Sequence, residues 1–427
     1  MFSEYLRRNI FWCLDSIKGG KIRNHYNDVK NRMENNIAPD VRDILRYAQK
    51  NVPYYSKYSS LDLHDYPVMN KEIYNQNKEQ MFSKEYKDND NLHWFRTSGS
   101  TGTPFEAPQD TNKRNRTIAD LLYFHDISNW HLGMKYVFLR AWVAYNANWI
   151  KRIKQNFIPF EAVNFDDNQK SKLLKTIKKN RNIQVVFGYS SLITELAEYM
   201  ISKNEIQPNK NIKLVVVDSD DLSPKGKQLI ERAFGCSVMN RYDNEEQGVL
   251  ACMLPSDDFW TVNTASHYIE ILKLDEDVPC EAGEIGRVVV TDLTNRAFPF
   301  IRYDVGDLAR CEDYDGTYVR KINSLEGKAQ EMLHDVSGNS ISNVTFAAYF
   351  ELFMEIRKYQ IIQETAKDYL IKVVIKQGKT LDKQKLVDKF KECLGQDAEI
   401  KVEEVDMIET TTAGKYRPVL NKYRRNN

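Results

Sequence analysis

The stretch from Thr97 to Pro104 concentrates hydroxyl residues and glycines, which can bind an anion through backbone and side-chain donors. It reads Thr97, Ser98, Gly99, Ser100, Thr101, Gly102, Thr103 and Pro104. Gly99 and Gly102 can adopt positive φ and let the backbone approach a ligand, while the hydroxyls donate hydrogen bonds without adding charge. Such a loop can surround a phosphate with N–H groups. Taken alone, an ordinary polar turn is the more frequent structure for such a cluster.

Two acidic stretches later in the chain have the residue types that bind a metal ion and a ribose. The first, Asn240–Gly248, follows a β-like run at 236–239, and a carboxylate at the end of a strand can hold Mg²⁺. The second, Phe300–Leu308, places Asp307 directly after Gly306, where a rigid carboxylate can accept two hydrogen bonds from a ribose diol. Each stretch taken alone is also typical of a solvated turn.

Two lysine-containing stretches complete the set of candidate residues. Gly327–Leu333 lies where the strand pattern gives way to a new helical segment, which indicates a domain boundary. Thr411–Arg417 places Lys415 behind Thr and Gly, and a mobile positive charge there can bridge two anions that must react with each other. An isolated lysine is most often only a surface charge.

Length, composition and missing motifs exclude several classes of protein. The 427 residues exceed a usual single core, which predicts two or more domains. With 42% hydrophobic and 28% charged residues the chain is typical of a globular protein, and a net charge of +1 gives no reason to expect a nucleic-acid partner. Walker A, GxGxxG, HExxH and GxSxG motifs are all absent.

Cysteine spacing and the N-terminal segment indicate in which cellular compartment the protein works and whether it crosses a membrane. The six cysteines are scattered without a CxxC pair, which favours a reducing cytoplasm over a disulfide framework or a cysteine-rich zinc site. The apolar patch at residues 10–14 is much too short for a membrane span, so we expect no integral membrane segment. The basic, aromatic first helix can pack on the main domain, which we favour, or contact a membrane surface.

Hydrophobic periodicity predicts an α/β architecture that opens with a helical cap over about residues 1–90, including helices at Phe2–Ile17 and Val41–Val52. Short β-rich runs then alternate with helical segments, as a parallel sheet requires, and such sheets bind ligands at the carboxyl ends of their strands. The predicted strands are 136–139, 185–187 and 213–217, and the predicted helices are 191–201 and 223–234, the last ended by Gly235.

The pattern changes twice in the second half of the chain. Alternating strands at 268–272 and 286–290 predict an antiparallel, barrel-like part of the large domain. Past residue 327 the sequence predicts a small α+β domain. Its predicted elements are a helix at about 344–357, a hairpin of 359–362 with 370–375, a helix at 383–394 ended by Gly395, and a strand at 399–405. We therefore predict a large domain over 1–327 and a small mobile domain over 328–427.

The five chemical stretches, in this order and at these separations, resemble the adenylate-forming enzymes, which comprise acyl-CoA synthetases, adenylation domains and luciferases. Within that superfamily the chain resembles the phenylacetate–CoA ligase branch, in particular its shorter relatives from capsular polysaccharide biosynthesis. The cues are the helical opening with Asn51-Val52-Pro53-Tyr54-Tyr55, the phosphate loop without a following lysine, and Arg302-Tyr303 before Gly306-Asp307.

The resemblance implies a role for each nucleotide-binding stretch. The loop Thr97–Thr103 would hold the β- and γ-phosphates of ATP, which leave as pyrophosphate. Tyr242 would pack on adenine, and Glu246 would bind the Mg²⁺ ion that bridges the phosphates. Asp307 would hold the ribose hydroxyls, and Lys328 would lie near the ribose in place of the family's arginine.

The resemblance also implies a catalytic lysine, a hinge and an acyl pocket. Lys415 corresponds to the lysine that steadies the carboxylate and the α-phosphate during adenylation. Gln330 stands at the position where the family commonly has a hinge aspartate. Tyr189, Ser190 and Ser191 fall where related enzymes place part of the acyl pocket.

The implied activity is ATP- and Mg²⁺-dependent activation of a carboxylic acid to an acyl-adenylate, followed by acyl transfer. Coenzyme A is the default acceptor, and an amine or hydroxyl in surface polysaccharide biosynthesis is the alternative. Asp243, Glu245, Lys328 and Gln330 depart from the family pattern. They motivate a second hypothesis, a nucleotide-binding protein that has lost catalysis. The third hypothesis, a membrane-associated assembly factor, is based only on the N-terminal apolar patch.

Overall fold

The computed structural model describes residues 2–96, 105–140, 149–162, 165–218, 222–328, 332–341, 343–409 and 416–423. Its contacts divide the chain into two compact units. The larger unit comprises Met1–Val305 and Arg310–Ser324, and the smaller unit comprises Gly306–Ala309 and Leu325–Asn427. The domain boundary at residue 327 and the mobility of the small domain stay predictions.

Helices and strands alternate through most of the larger unit. Its helices are α1 (Phe2–Ile17), α2 (Lys21–Glu34), α3 (Arg42–Asn51), α4 (Lys71–Gln76), α5 (Lys78–Met81), α6 (Thr111–Ile127), α7 (Trp149–Gln155), α8 (Asp167–Lys179), α9 (Ser190–Ser202) and α10 (Pro224–Phe234). Its strands are β1 (His93–Arg96), β2 (Glu106–Gln109), β3 (Lys135–Arg140), β4 (Phe157–Glu161), β5 (Ile183–Tyr189), β6 (Leu214–Asp218), β7 (Ser237–Asn244), β8 (Gly248–Met253), β9 (Trp260–Val262), β10 (His267–Leu272), β11 (Ile285–Asp292), the start of β12 (Tyr303–Arg310) and β13 (Lys321–Ile322).

The main sheet of the larger unit has eight strands in the order β13-β9-β8-β7-β6-β5-β3-β4. Strands β4, β3, β5, β6 and β7 run parallel, and β8 pairs antiparallel with β7. Alternate side chains of β6 enter two different hydrophobic clusters, Val215 on one side and Val216 on the other. Helices α8, α9 and α10 cover the first face and α2 and α6 cover the second, so the predicted layered α/β fold is confirmed.

Local sequence signals explain where helix α10 begins and ends. The Ser223 side chain accepts a hydrogen bond from the Gly226 N–H, and Pro224 occupies the first helical position. Gly235 ends the helix with φ 68°, a left-handed conformation that suits glycine. The antiparallel strands predicted for residues 268–290 are also confirmed, since β10 and β11 pair with Tyr268 opposite Thr291.

The smaller unit is the predicted α+β tail. Its elements after β12 are β14 (Ser324–Lys328), β15 (Leu333–His334), β16 (Ser340–Ile341), α11 (Asn343–Glu351), β17 (Ile356–Gln363), β18 (Asp368–Ile375), α12 (Lys383–Leu394), β19 (Glu399–Glu404) and β20 (Val419–Asn421). The order β19-β18-β17-β20 makes one sheet, and α11 and α12 pack on it through Phe346 and Phe390. The prediction that α11 extends to Arg357 is wrong, because the chain has already joined β17 at Ile356, opposite Ile375.

None of the helices in the described ranges combines the length and the apolar character needed to cross a bilayer.

Candidate functional site

Three of the predicted site elements lie outside the described residues. They are the phosphate loop Thr97–Thr103, the hinge Gln330 and the catalytic Lys415, and their roles stay predictions. The strands that flank the predicted loop are described. β1 and β2 pair antiparallel, with Arg96 opposite Glu106.

Glu246 lies in the turn of the hairpin formed by β7 and β8. Asn244 pairs with Gly248 across this hairpin, and the Asn244 Oδ1 atom accepts a hydrogen bond of 2.7 Å from the Gln247 N–H. Gly248 has φ 80°, which allows the short return into β8. The Glu246 side chain is buried, and the Tyr303 hydroxyl donates to its Oε1 atom over 3.4 Å. The sequence placed the end of strand β7 near residue 239, but the ladder continues to Asn244.

Three side chains hold consecutive carbonyls of the turn that carries Glu246. The Gln109 Nε2 atom donates to the carbonyls of Glu245 and Glu246, each over 3.1 Å. The Lys113 Nζ atom donates to the Gln247 carbonyl over 2.7 Å, and His267 Nε2 lies 3.2 Å from the same oxygen. Since a carbonyl can only accept, His267 carries its proton on Nε2. The turn is thereby fixed from β2, α6 and β10.

Lys113 also forms a fully buried ion pair with Asp292. The Nζ and Oδ2 atoms are 2.6 Å apart, and neither side chain is exposed to solvent. Burial alone would raise the pKa of Asp292, but the Lys113 charge, His267 and the hydrogen bonds to this carboxylate bring the pKa below its ordinary value. Asp292 Oδ1 accepts from the Thr294 and Asn295 N–H groups as well. The Glu246 turn is therefore supported by an ion pair that is shielded from solvent.

The buried His267 makes the stability of the larger unit depend on pH. Burial, and next the Lys113 charge, lower the pKa of His267 to about 3. An unfolded histidine has a pKa of about 6.5, so the unfolded state binds more protons than the native state below that pH and stability falls. This residue alone is expected to remove about 3 kcal/mol of unfolding free energy between pH 7 and pH 4.5.

Urea denaturation followed by tryptophan fluorescence measures this effect, since all six tryptophans precede residue 261. The variant His267→Gln should have a shallower pH dependence than the wild type. His64→Gln is the matched control, because His64 is half exposed beside Asp62. A His267→Gln variant with the wild-type pH slope would contradict the buried neutral histidine.

Asp307 and Lys328 form an ion pair on neighbouring strands within the smaller unit. The Lys328 Nζ atom lies 2.8 Å from Asp307 Oδ1. Each residue follows a glycine of positive φ, Gly306 at 77° and Gly327 at 89°. A Cβ on Gly327 would lie 2.5 Å from the Asn343 Nδ2 atom, so a larger residue there would force the Asn343 side chain to move. Asp307 lies inside strand β12, so the alternative of an ordinary β-turn is wrong.

A cluster of charged side chains occupies the carboxyl ends of the parallel strands. Asp218, the buried last residue of β6, accepts two hydrogen bonds from Arg140 at the end of β3, over 3.0 and 2.8 Å. The Arg241 Nη2 atom of β7 donates to the same carboxylate over 2.9 Å. The Arg140 guanidinium also lies 4.4 Å from the centre of the Tyr189 ring. Bidentate pairing of this kind fixes both partners in orientation.

Asp243 extends the same cluster along β7. Its Oδ2 atom lies 2.8 Å from Arg241 Nε, and residues two apart on a strand share one face. Burial raises the pKa of the Asp243 carboxyl, the Arg241 charge opposes this rise, and the neighbouring Asp218 adds to it. Tyr242 is half-buried and makes an edge-to-face contact with Trp260 at 6.2 Å. We refer to Arg140, Asp218, Arg241 and Asp243 as the ionic cluster.

The sequence did not single out Arg140, Asp218 or Arg241 as site residues. The available signal was the position of each one at or near the end of a buried, β-rich run, where parallel sheets bind ligands. The predicted pocket residues lie beside the cluster. Tyr189 and Ser190 are buried at the junction of β5 and α9, and Ser191 is half-buried. Their role in an acyl pocket stays a prediction.

The chain is similar in sequence and in fold to several known proteins. Residues 333–422 match the family model of the CapK C-terminal domain. The chain is 22% identical to Protein CapK from Staphylococcus aureus over 93% of this chain and 92% of that protein. It is 27% identical to phenylacetate-coenzyme A ligase from Escherichia coli (strain K12) over 29% of each chain.

Among solved structures, 2-hydroxyisobutyryl-CoA ligase in its postadenylation state is similar with a TM-score of 0.67 and 18% identity, over 90% of this chain and 88% of that one. The chain has the adenylate-forming fold. The amide bond synthetase McbA from Marinactinospora thermotolerans is similar as well, with a TM-score of 0.54 and 16% identity over 73% and 65% of the two chains. The resemblance to adenylate-forming enzymes, and to the phenylacetate–CoA ligase branch with its CapK relatives, is thus confirmed.

The residues around Glu246 fit the magnesium site that this fold implies. The Glu246 carboxylate is a hard oxygen ligand, and its turn is fixed at three consecutive carbonyls. No group of three or more metal-binding side chains occurs among the residues that the structure describes. A single protein carboxylate agrees with the way Mg²⁺ binds in nucleotide sites, where phosphates and water supply the other ligands.

Proposed function

We propose that this protein is an ATP-dependent ligase that activates a carboxylic acid as an acyl-adenylate, releases pyrophosphate and passes the acyl group to an acceptor. The observation that carries the proposal is the similarity to 2-hydroxyisobutyryl-CoA ligase over 90% of the chain, which includes residues of both units. The placement of Glu246 in a fixed turn at the end of β7 supports it.

In the first half-reaction a carboxylate oxygen of the acid attacks the α-phosphorus of ATP. The bond between that phosphorus and the bridging oxygen breaks, and pyrophosphate leaves. In our proposal the loop Thr97–Thr103 holds the departing phosphates, Glu246 holds Mg²⁺, Tyr242 packs on the adenine, and Asp307 with Lys328 holds the ribose. Lys415 balances the charge of the two anions as they approach, an electrostatic contribution that can dominate catalysis.

The ionic cluster indicates the class of acid. Parallel sheets bind ligands beyond the carboxyl ends of their strands, where Arg140, Asp218 and Arg241 lie. A hydrocarbon group placed against these charges would leave them poorly solvated, whereas hydroxyl or amino groups would hydrogen-bond to them. We therefore propose a polar acid, such as a hydroxy acid or an amino acid, as the substrate.

The acceptor has two candidates. Coenzyme A is the default, since several proteins of this fold are CoA ligases. An amine or a hydroxyl of a surface polysaccharide precursor is the second candidate, favoured by the CapK C-terminal domain match at residues 333–422 and by the likeness to an amide bond synthetase. We place either reaction in the cytoplasm, and we propose no nucleic-acid partner.

Acid-dependent exchange between ATP and labelled pyrophosphate tests the proposal. The panel contains hydroxy acids, amino acids, phenylacetate and short fatty acids, each with and without coenzyme A, and mass spectrometry identifies the product. We expect exchange with at least one polar acid, and faster exchange than with phenylacetate. Because exchange needs no acceptor, it reports adenylation independently of the second half-reaction.

Two results would contradict parts of this proposal. Retained ATP binding without exchange for any acid would favour a nucleotide-binding protein that has lost catalysis. A preference for phenylacetate or fatty acids would overturn the polar-acid assignment while leaving adenylation intact. The variant Arg140→Met should change the order of preferred acids, and Arg42→Met, which removes an exposed pair with Asp40, is the matched control.

A further inference from the structure

The outer face of helix α1 is apolar and exposed. Four side chains spaced at i, i+4, i+8 and i+11 lie on one side of this helix, which is the spacing of an amphipathic stripe. They are Leu6, Ile10, Leu14 and Ile17, with exposed fractions between 49% and 75%. The opposite side anchors the helix, since Trp12 contacts Tyr26 and Asp15 accepts from the Ile22 and Arg23 N–H groups. The stripe thus faces away from the protein.

Helix α7 adds a second exposed apolar group next to α1. Its side chains Trp149, Ile150 and Ile153 are between 43% and 69% exposed, and none of its residues is buried. The Arg7 Nη1 atom of α1 donates a hydrogen bond to the Ile153 carbonyl, so the two helices are neighbours. We call the exposed faces of these helices the α1–α7 surface. Exposed apolar side chains grouped on neighbouring helices are typical of interaction sites.

The exposed charges that α1 and α7 themselves carry are positive. Exposed basic side chains on these helices and directly after α1 are Arg8, Lys18, Lys151, Arg152 and Lys154. The two acids of α1 are withdrawn from solvent, since Asp15 is buried and Glu4 is half-buried with a hydrogen bond from Gln184. α7 has no acidic residue. This contrasts with the whole chain, whose net charge is only +1.

We propose that the α1–α7 surface docks on an anionic phospholipid membrane. The exposed apolar side chains, which include Trp149, and the Lys and Arg residues beside them match the two parts of such a surface, acyl chains and negative headgroups. A second copy of this chain fits poorly, because a two-fold contact places the same patch against itself and brings the cations together. This peripheral contact does not depend on the ligase activity and agrees with the finding that the described helices do not span a bilayer.

Flotation of the full chain with vesicles tests the membrane surface. Vesicles of phosphatidylcholine with about a third phosphatidylglycerol should carry the wild type to the top of the gradient, and vesicles of phosphatidylcholine alone should carry much less. Ile10→Glu combined with Ile153→Glu should lower the bound fraction at least about tenfold. Ile206→Glu is the control, since Ile206 is an exposed isoleucine elsewhere in the larger unit.

Charge variants test the electrostatic contribution to membrane binding and leave the apolar side chains unchanged. Lys151→Gln and Lys154→Gln should each weaken binding to the anionic vesicles by about fivefold. Both residues are exposed, so these variants are expected to fold even where a glutamate on the apolar stripe does not. Equal flotation with the two vesicle types would overturn the proposal. Concentration-dependent dimers that Ile10→Glu dissolves would overturn it as well and would assign the surface to a second copy.

Discussion

Replacing Lys415 by alanine is expected to lower the rate of acid-dependent pyrophosphate exchange by a factor of about 10² to 10³. The reacting carboxylate and α-phosphate are both anions, and a positive charge between them stabilises the transition state more than the separate ground states. ATP binding should change little, because in our proposal the phosphate loop, Asp307 and Lys328 make the nucleotide contacts. Initial exchange rates and a direct ATP-binding measurement separate the two effects.

Two further variants control for charge and for position. Lys415→Arg keeps the charge but spreads it over a planar group of different shape, so it should retain only part of the rate. Lys422→Ala removes another lysine of the smaller unit, whose exposed Nζ lies 3.3 Å from Glu364, and should leave exchange unchanged. An alanine variant at 415 with wild-type exchange would remove this lysine from its proposed role.

The sequence was most informative where short-range signals decide the structure. Helix α12 occupies Lys383–Leu394 as predicted, with the Asp382 side chain capping its start and Gly395 directly after its end. These signals act within one or two turns of helix, so the sequence alone contains them. The predicted hairpin of β17 and β18 is confirmed for a related reason, since its apolar alternation is visible in the sequence.

The sequence did not reveal which residues pair between segments that are distant along the chain. Asp218 is 78 residues from Arg140 and 23 from Arg241, and nothing local to Asp218 distinguishes a buried ion-pair partner from the start of an acidic turn. The same reason explains strand β7, which continues through the polar residues 240–244 because β8 pairs with it. Tertiary contacts here override the local preference for a turn.

Replacing Lys113 by methionine is expected to lower the unfolding free energy of the larger unit by about 3–5 kcal/mol. The Lys113 and Asp292 side chains are both fully buried, so the variant leaves the Asp292 charge without its partner in a dry environment. The Gln247 carbonyl also loses its 2.7 Å hydrogen bond. Urea denaturation followed by tryptophan fluorescence measures the loss. Lys30→Met is the control, because the exposed Lys30 Nζ atom lies 3.9 Å from the exposed Glu34 carboxylate, and its expected loss is below about 1 kcal/mol.

The same substitution should also weaken Mg²⁺ binding, because it removes a support of the turn that carries Glu246. Without the Lys113 amine, the Gln247 carbonyl keeps the contact with His267 Nε2 but loses its shorter hydrogen bond. The turn thereby loses its support from α6, and the Glu246 carboxylate loses part of its fixed position. The Mg²⁺ concentration for half-maximal exchange should therefore rise, while a merely destabilised variant would lose the maximal rate at unchanged Mg²⁺ dependence. Adding Asp292→Asn to Lys113→Met removes the unpaired charge and should restore stability but not Mg²⁺ affinity. If stability and Mg²⁺ affinity both recovered, Lys113 would support only the fold and not the position of Glu246.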